Sequence, residues 1–241
     1  MELDGKIILV VGGATGIGRA TAVLCAGRGA TVVVADRNQA QGQQAAAECG
    51  GTFLPVDVTD EGSVQRMMAG VEERFGRLDA LIHTAGILFG AYVPLEDFSV
   101  ATWRSVLEVN TTGSFLCARS AVPLLRKARK AVIVLVSSGA AVGGSSSFAY
   151  GTSKGGVNSL GIVLANALAD DGIRVNVVAP GNIDTAMKRS VIAADVDRKG
   201  TGDLERAIAD SHLGAPEGVA RLLAWLASDD ADYVRGLINT R

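Results

Sequence analysis

The chain has 241 residues, of which 48% are hydrophobic, and its formal net charge at pH 7 is −2. This length suits one large α/β domain with a substantial core, and the small net charge argues against a surface for nucleic acid or anionic membrane. No apolar run reaches the ~20 residues that a membrane-spanning helix needs, and the acidic start of the chain differs from a secretory signal. We therefore expect a cytoplasmic protein that forms a single domain over residues 1–241.

The cysteines indicate neither a disulfide framework nor a metal site. Cys25, Cys49 and Cys117 are odd in number, and no CxxC or zinc-like spacing joins them. We expect small apolar helix residues in a reducing cytosol, and we predict no bound metal.

Short β-branched runs alternate along the chain with alanine-rich segments of helical periodicity. The predicted strands are residues 6–11, 31–35, 52–56, 78–83, 131–136 and 173–178, and the helical segments include 17–28, 39–48, 62–75, 101–127 and 150–170. The strands are nearly continuous in apolar residues, as expected where helices cover both faces of a sheet. The alternation predicts βαβ units and so a Rossmann-type, doubly wound parallel sheet with helices on both faces. Such sheets bind ligands beyond the carboxyl ends of their strands.

A glycine cluster, GGATGIG (12–18), follows the first predicted strand and opens a helix. Glycine lets the backbone turn tightly and approach a pyrophosphate, while the helix N-terminus offers unpaired N–H groups and a favourable dipole. Any tight strand-to-helix turn can use such a cluster, but its position in the first βα unit favours dinucleotide binding.

An acidic residue ends the second predicted strand, about 20 residues after the glycines, where a dinucleotide-binding fingerprint has its acid. The carboxylate of Asp36 can accept both hydroxyls of an adenosine ribose and repels a 2′-phosphate. The alternative is that Asp36 caps the helix that starts near Asn38. The neighbouring Arg37 favours a phosphate. An acid at the strand tip predicts NAD as the preferred cofactor, with NADP not excluded.

The third predicted strand is followed by DVTD (57–60). Asp57 and Val58 are predicted to lie beside the adenine ring of the cofactor. Asp60 is predicted to be the N-cap of the next helix.

Together these motifs resemble those of the short-chain dehydrogenase/reductase family, and the resemblance covers almost the whole chain. In family order they are GGATGIG (12–18), DVTD (57–60), HTAG (83–86), EVNTTGSF (108–115), VSSGAA (136–141), YGTSK (150–154) and VAPGNIDT (178–185). Each motif is weak alone, but seven in register are very specific. The resemblance implies a nicotinamide-dependent enzyme that interconverts small-molecule alcohols and ketones, commonly as a homotetramer or dimer.

Tyr150 and Lys154 stand one helical turn apart and so share a helix face. A free phenol has a pKa of about 10 and is a poor base at neutral pH. The Lys154 ammonium, together with the positive nicotinamide ring, is expected to lower that pKa, so that Tyr150 takes the hydroxyl proton as hydride leaves the alcohol carbon. A half-buried tyrosine beside a solvated lysine is the alternative, which the cofactor motifs disfavour.

The resemblance also implies a serine that polarises the substrate oxygen at the end of the fifth strand. The usual family distance from Tyr150 favours Ser137, whereas alignment of the strand end favours Ser138. Successive strand residues face opposite sides, so only one serine can face the site. We choose Ser138, because loops absorb deletions more readily than strands do. Asn110 resembles the family's fourth catalytic member, which helps hold a water that links Lys154 to solvent.

The predicted cofactor site extends beyond the glycine loop, since the segment 180–185 resembles the one that closes over the nicotinamide carboxamide. Residues 1–100 are expected to serve mainly the cofactor, and residues 101–241 mainly catalysis and substrate. The predicted cofactor-binding residues are Gly12, Gly13, Thr15, Gly16, Ile17, Gly18, Asp36, Arg37, Asp57, Val58, Ala85, Gly86, Tyr150, Lys154, Pro180, Gly181, Ile183 and Thr185.

The sequence departs from the family pattern in three places. Gly12 stands where the family usually has threonine, and HTAG replaces NNAG, so weaker ties between these two loops are expected. His83 is predicted to be a strand-end histidine with a satisfied ring, and His212 a surface residue. The chain is expected to stop where the family continues through a last strand and a glycine-containing tail, which leaves the oligomeric state open.

Residues 186–213 are expected to form a lid and part of the substrate pocket. Leu88, Phe89, Val142 and Phe148 are candidates for its apolar walls, which suits a moderately apolar secondary alcohol or ketone. The alternatives are a non-catalytic dinucleotide-binding or scaffolding protein on the same fold, an NADP-dependent carbonyl reductase, and a related lyase or epimerase that retains its cofactor.

Overall fold

The computed structural model describes residues 2–240 and has one parallel sheet of seven strands in the order β3-β2-β1-β4-β5-β6-β7. The strands are β1 (Ile7–Val11), β2 (Thr31–Asp36), β3 (Thr52–Pro55), β4 (Ala80–His83), β5 (Ala131–Val136), β6 (Ile173–Ala179) and β7 (Gly236–Asn239). The α-helices are α1 (Gly16–Ala26), α2 (Gln39–Glu48), α3 (Glu61–Phe75), α4 (Val100–Leu107), α5 (Gly113–Leu125), α6 (Phe148–Ala167), α7 (Ala186–Lys199), α8 (Leu204–Asp210) and α9 (Pro216–Ala227). The predicted Rossmann-type fold is confirmed.

Alternation of side chains along each strand divides the core into two layers. On β1, Leu9 and Val11 pack on one face of the sheet, in the layer that α3, α5 and α6 cover. Ile8 and Val10 pack on the other face, in the layer that α1, α2 and α9 cover. Helices therefore cover both faces of the sheet, which explains the continuous apolar runs in the sequence.

The strand order reverses between β1 and β4, which are paired in parallel with each other. This reversal opens a crevice at the carboxyl ends of the strands, where loops from both halves of the sheet meet. No helix within residues 2–240 is both long and apolar enough to cross a membrane.

The long helix predicted over residues 101–127 is broken. A π-helical turn, Glu108–Thr112, separates α4 from α5. Within it, the backbone carbonyl of Asn110 accepts a 2.6 Å hydrogen bond from the Ser114 hydroxyl, and such side-chain competition for a helix carbonyl bends a helix. Hydrophobic periodicity does not register this competition, so it predicts one uninterrupted helix.

The C-terminal segment differs from the expectation, because a last strand does form. Residues Gly236–Asn239 make β7, which pairs in parallel with β6. Asp60 is the N-cap of α3, and its side chain accepts a hydrogen bond from the Gly62 backbone N–H, as predicted.

Candidate active site

A cavity of about 870 Å³ occupies the crevice at the carboxyl ends of the strands. Seventeen of the eighteen predicted cofactor-binding residues line it, Tyr150 and Lys154 among them, and so does Ser138. Gly13 and Asn110 do not line it. Gly13 lies behind the glycine loop, where an added Cβ would stand 2.9 Å from the Val10 carbonyl oxygen. Asn110 is fully buried behind the cavity wall.

The glycine loop is closely packed, and its geometry fits a dinucleotide. Gly12 has φ +79°, and a Cβ there would stand 2.4 Å from the backbone nitrogen of Ala85. A Cβ on Gly18 would stand 2.1 Å from the Gly12 carbonyl oxygen. Thr15, the N-cap of α1, makes no side-chain cap hydrogen bond. The first-turn N–H groups of α1 therefore remain available to an anionic group in the cavity.

Thr84 ties the glycine loop to the loop after β4. Its hydroxyl donates to the Val11 carbonyl oxygen at 2.8 Å, and the backbone N–H groups of Thr84 and Ala85 donate to the same carbonyl. The expectation of weaker ties between the two loops is therefore wrong. The Thr84 hydroxyl reaches the end of β1, so the two loops are held together without a polar side chain at position 12.

Asp36 lies at the carboxyl tip of β2 and holds two backbone groups. Its Oδ2 accepts a 3.1 Å hydrogen bond from the Ala14 N–H, and its Oδ1 accepts a 2.9 Å bond from the Asn38 N–H. The N-cap of α2 is Asn38 itself, whose side chain accepts from the Gln41 N–H. The reading of Asp36 as the helix cap is therefore wrong. Its carboxylate fixes the glycine loop and still has lone pairs that face the cavity.

Tyr150 lies on the first turn of α6 and lines the cavity, with the Ser138 side chain near enough to act on its phenol. Burial raises the pKa of the phenol, and the Ser138 side chain offsets this in part. The residues of the chain therefore do not by themselves lower the pKa of Tyr150. The Lys154 ammonium lies 5.8 Å from the Tyr150 ring centroid. The expected lowering of the Tyr150 pKa also needs the positive nicotinamide ring, so it stays a prediction.

Lys154 is only 4% exposed, although it carries an ionisable group. Its Nζ donates a 2.8 Å hydrogen bond to the Val136 carbonyl oxygen at the end of β5. Burial lowers the pKa of the ammonium from 10.5 to about 8. A cation with a pKa near the physiological range, buried beside a phenol, is typical of functional sites.

Both adjacent serines line the cavity, but their side chains have different partners. Ser138 lines the cavity, and its side chain accepts a 3.2 Å hydrogen bond from the Ala140 N–H in the turn that follows β5. The Ser137 hydroxyl is buried and donates to the Lys154 backbone carbonyl oxygen at 2.9 Å. Of the two hydroxyls, that of Ser138 lies nearer the Tyr150 phenol and acts on its pKa, and that of Ser137 ties α6 to the end of β5.

Asn110 connects three elements behind the site. Its Oδ1 accepts from the Ile87 N–H at 2.8 Å, and its Nδ2 donates to the Ile87 carbonyl and the Ser153 hydroxyl, both at 2.9 Å. Asn110 thereby fixes the loop after β4 to α6 near Lys154. Sequence reasoning missed Ser153, since a small residue between Tyr150 and Lys154 carries no distinct signal.

The substrate side of the cavity differs from the predicted walls. Of the four predicted residues Leu88 lines the cavity, whereas Phe89, Val142 and Phe148 are more than 40% exposed and do not line it. Sequence reasoning missed Tyr92, which lines the cavity with the unusual φ of 61°. From α7, Met187, Lys188 and Val191 line the cavity, and the Arg198 guanidinium lies 4.9 Å from the Tyr92 ring centroid.

His83 is buried at the end of β4, and its Nδ1 lies 3.4 Å from the Ser114 hydroxyl oxygen. Within residues 2–240 its Nε2 has no hydrogen-bond partner, so the expectation of a fully satisfied ring is wrong. Burial and the Lys154 charge lower the pKa of His83 to about 3, so the ring is neutral. His212 follows α8 and is exposed, as predicted.

Comparison with known proteins adds to this geometry. A family model described as enoyl-(acyl carrier protein) reductase matches residues 12–239. The cis-4-hydroxycyclohexanecarboxylate dehydrogenase of Sinomonas cyclohexanicum is 41% identical over 238 residues, covering 97% of this chain and 93% of that protein. The L-fucose dehydrogenase of Mus musculus is 36% identical over 237 residues, covering 97% of this chain and 86% of that protein. The crystal structure of a levodione reductase has a TM-score of 0.89 at 28% identity, covering 98% of this chain and 96% of that one.

Proposed function

Since the chain belongs to the short-chain dehydrogenase/reductase family, we propose that it transfers a hydride between NAD(H) and a secondary alcohol or its ketone. Like its relatives, it is an NAD(P)-dependent oxidoreductase that acts on CH–OH groups. The choice of NAD, the site residues and the substrate class are our proposals.

One observation carries the proposed chemistry: Ser138, Tyr150 and the buried Lys154 line the same wall of the crevice, with the Ser138 side chain near the Tyr150 phenol. Two hydroxyls that lie close together in one cavity wall can both reach one substrate oxygen. A non-catalytic dinucleotide-binding protein has no use for a phenol, a hydroxyl and a desolvated ammonium in one wall.

In alcohol oxidation Tyr150 is the general base and Ser138 holds the substrate oxygen. Bound NAD⁺ supplies the hydride acceptor and a positive ring. Burial makes the phenol hold its proton, so Lys154 must remain charged for Tyr150 to release it near neutral pH. In ketone reduction Tyr150 donates the proton to the same oxygen. Asn110 keeps the loop at Ile87 and helix α6 in register with the reacting groups.

Asp36 supports NAD as the preferred cofactor. Its carboxylate is fixed by two backbone N–H groups and faces the cavity, where it can accept the ribose hydroxyls and repels a 2′-phosphate. The exposed guanidinium of Arg37 at the same mouth supports the alternative of an NADP-dependent carbonyl reductase. We propose that Asp57 and Val58 flank the adenine.

The α1 N-terminus and the segment 180–185 are proposed to hold the rest of the cofactor. Thr185 supports this, since its side chain lies over Gly16, 3.3 Å from where a Cβ would stand. Two similar proteins are named for a ring alcohol and for a sugar, hydroxycyclohexanecarboxylate and L-fucose. These names support a ring-bearing secondary alcohol as the substrate. Exposed Phe115, Ile162 and Val163 support the homo-oligomer that we propose.

The test is a panel of cyclic and acyclic secondary alcohols and ketones, followed at the nicotinamide absorbance with NAD and NADP in parallel. We expect turnover with NAD and a loss of at least ~10³-fold in kcat for Tyr150→Phe, which removes the base but keeps the ring. Tyr233→Phe is the matched control, because Tyr233 is fully exposed.

Near wild-type turnover by Tyr150→Phe would contradict the assigned base. Dinucleotide binding without turnover of any alcohol or ketone would favour a scaffolding protein, and substrate conversion without net nicotinamide reduction would favour an epimerase or lyase.

A further inference from the structure

His83 is a buried polar residue for which the proposed mechanism has no role. It ends β4 on the same sheet face as Leu81, two residues earlier, and is 1% exposed. Burying a ring nitrogen without a partner costs free energy, so such a group calls for an explanation.

The hydrogen bonds of Ser114 fix the tautomer of the His83 ring. The Ser114 hydroxyl has one proton, which it donates to the Asn110 carbonyl oxygen at 2.6 Å. Toward His83 the same oxygen can therefore only accept, at 3.4 Å, so Nδ1 carries the proton. Since the ring is neutral, Nε2 has a free lone pair, and no partner for it exists within residues 2–240.

The strand register brings the His83 ring and the Lys154 ammonium to the same end of the sheet. His83 pairs in register with Leu135 on β5, and the next residue, Val136, supplies the carbonyl that accepts from Lys154 Nζ. Lys154 carries the charge that acts on the ring. The ammonium has three N–H donors and uses one of them on Val136. A buried acceptor without a donor thus lies near a buried cation with donors to spare.

We propose that His83 is a positioning residue for Lys154, with Nε2 accepting a hydrogen bond that one internal water relays from the ammonium. This role rests on the proposed function of Tyr150 and Lys154. The neutral ring takes no proton in the reaction. Its lone pair stabilises the ammonium against deprotonation and so extends the pH range over which Lys154 supports the phenolate. Among residues 2–240, Lys154 on α6 is the charged group that acts on the ring, and the polar Ser114 on α5, itself bonded to the Asn110 carbonyl, faces it.

The pH profile of kcat/KM for alcohol oxidation tests this role. His83→Leu fills a similar volume without an acceptor. Loss of a hydrogen bond to the Lys154 ammonium should lower the pKa of that group, and with it the alkaline limb of the profile, by about one pH unit. His83→Gln restores an acceptor oxygen at the Nε2 position, and its profile should superimpose on that of the wild type. Leu81→Val is the control for packing on the same face, and it should lower the melting temperature without moving the profile.

The role is refuted if the His83→Leu and His83→Gln profiles both match the wild type, or if both move equally. A second measurement needs no turnover and no stable His83→Leu protein. In His212→Gln, His83 is the single histidine, and its ring ¹⁵N shifts in the ligand-free protein should show the neutral Nδ1–H tautomer between about pH 5 and pH 9. An Nε2–H tautomer or an imidazolium in that range would overturn the inference even if the enzyme works as proposed.

Discussion

Replacement of Lys154 by methionine should destroy activity and yet stabilise the cofactor-free protein. Lysine at this position is 4% exposed, and burial lowers the pKa of its ammonium from 10.5 to about 8. At ~1.4 kcal/mol per pH unit, that shift costs the folded protein about 3 kcal/mol at neutral pH, where the ammonium is charged in both states. Methionine keeps most of the apolar stem and removes the charge.

The substitution also has a cost. The Val136 carbonyl loses the 2.8 Å hydrogen bond from Nζ, and an unpaired buried acceptor destabilises by about 1–3 kcal/mol. We therefore expect Lys154→Met to raise the free energy of unfolding by about 1 kcal/mol at pH 7.

The pH dependence of stability separates the cost of burying the ammonium from the loss of the Val136 hydrogen bond, because only the cost of the buried charge changes with pH. Between about pH 8 and 10.5 the unfolded chain keeps the Lys154 proton that the folded protein has released. Wild-type stability therefore gains from this group as the pH rises through that window. The advantage of Lys154→Met should shrink accordingly and reverse sign.

Urea unfolding of the ligand-free proteins at several pH values from about 7 to 10 measures this difference. Lys127→Met is the control for losing one charge, because Lys127 is an exposed lysine paired with Glu72. A difference between Lys154→Met and the wild type that stays constant over this range would refute the idea that burial makes this ammonium costly.

Three further outcomes follow from the site. Ser138→Ala should lower kcat by about 10²–10³-fold, as loss of a donor to a reacting oxygen does, whereas Ser137→Ala should mainly lower stability by about 1 kcal/mol; equal effects on kcat would contradict the assignment. Asp36→Asn should raise the kcat/KM ratio of NADP to NAD at least tenfold, and an unchanged ratio would mean that the carboxylate only fixes the loop. Gly12→Ala should lower the free energy of unfolding in urea by several kcal/mol, because the φ of Gly12 is +79° and an added Cβ would meet Ala85. Gly5→Ala is the control: Gly5 has φ +71° and open space around it, so the loss should be only about 1 kcal/mol. Similar losses for both variants would contradict this reasoning.

Much of the fold could be predicted because its signals are local. The six predicted strands match β1 to β6 within two residues, since continuous apolar runs mark strands covered on both faces. The seventh strand was missed, because Gly236–Asn239 is short and half-buried, with alternating exposure typical of a sheet edge. The break between α4 and α5 was also missed, since it depends on a hydrogen bond between Ser114 and Asn110.

The sequence by itself determined where the groups of the proposed site lie, because spacing along a strand or helix puts a glycine loop, an acid and a Tyr–Lys pair on predictable elements. Only the tertiary structure decided the state of those groups. Whether the Tyr150 phenol is more or less acidic than a free phenol, and which nitrogen of His83 carries the proton, depend on burial and on hydrogen bonds between residues far apart in the chain. Desolvation and hydrogen bonding act through space, so no pattern of neighbouring residues encodes them.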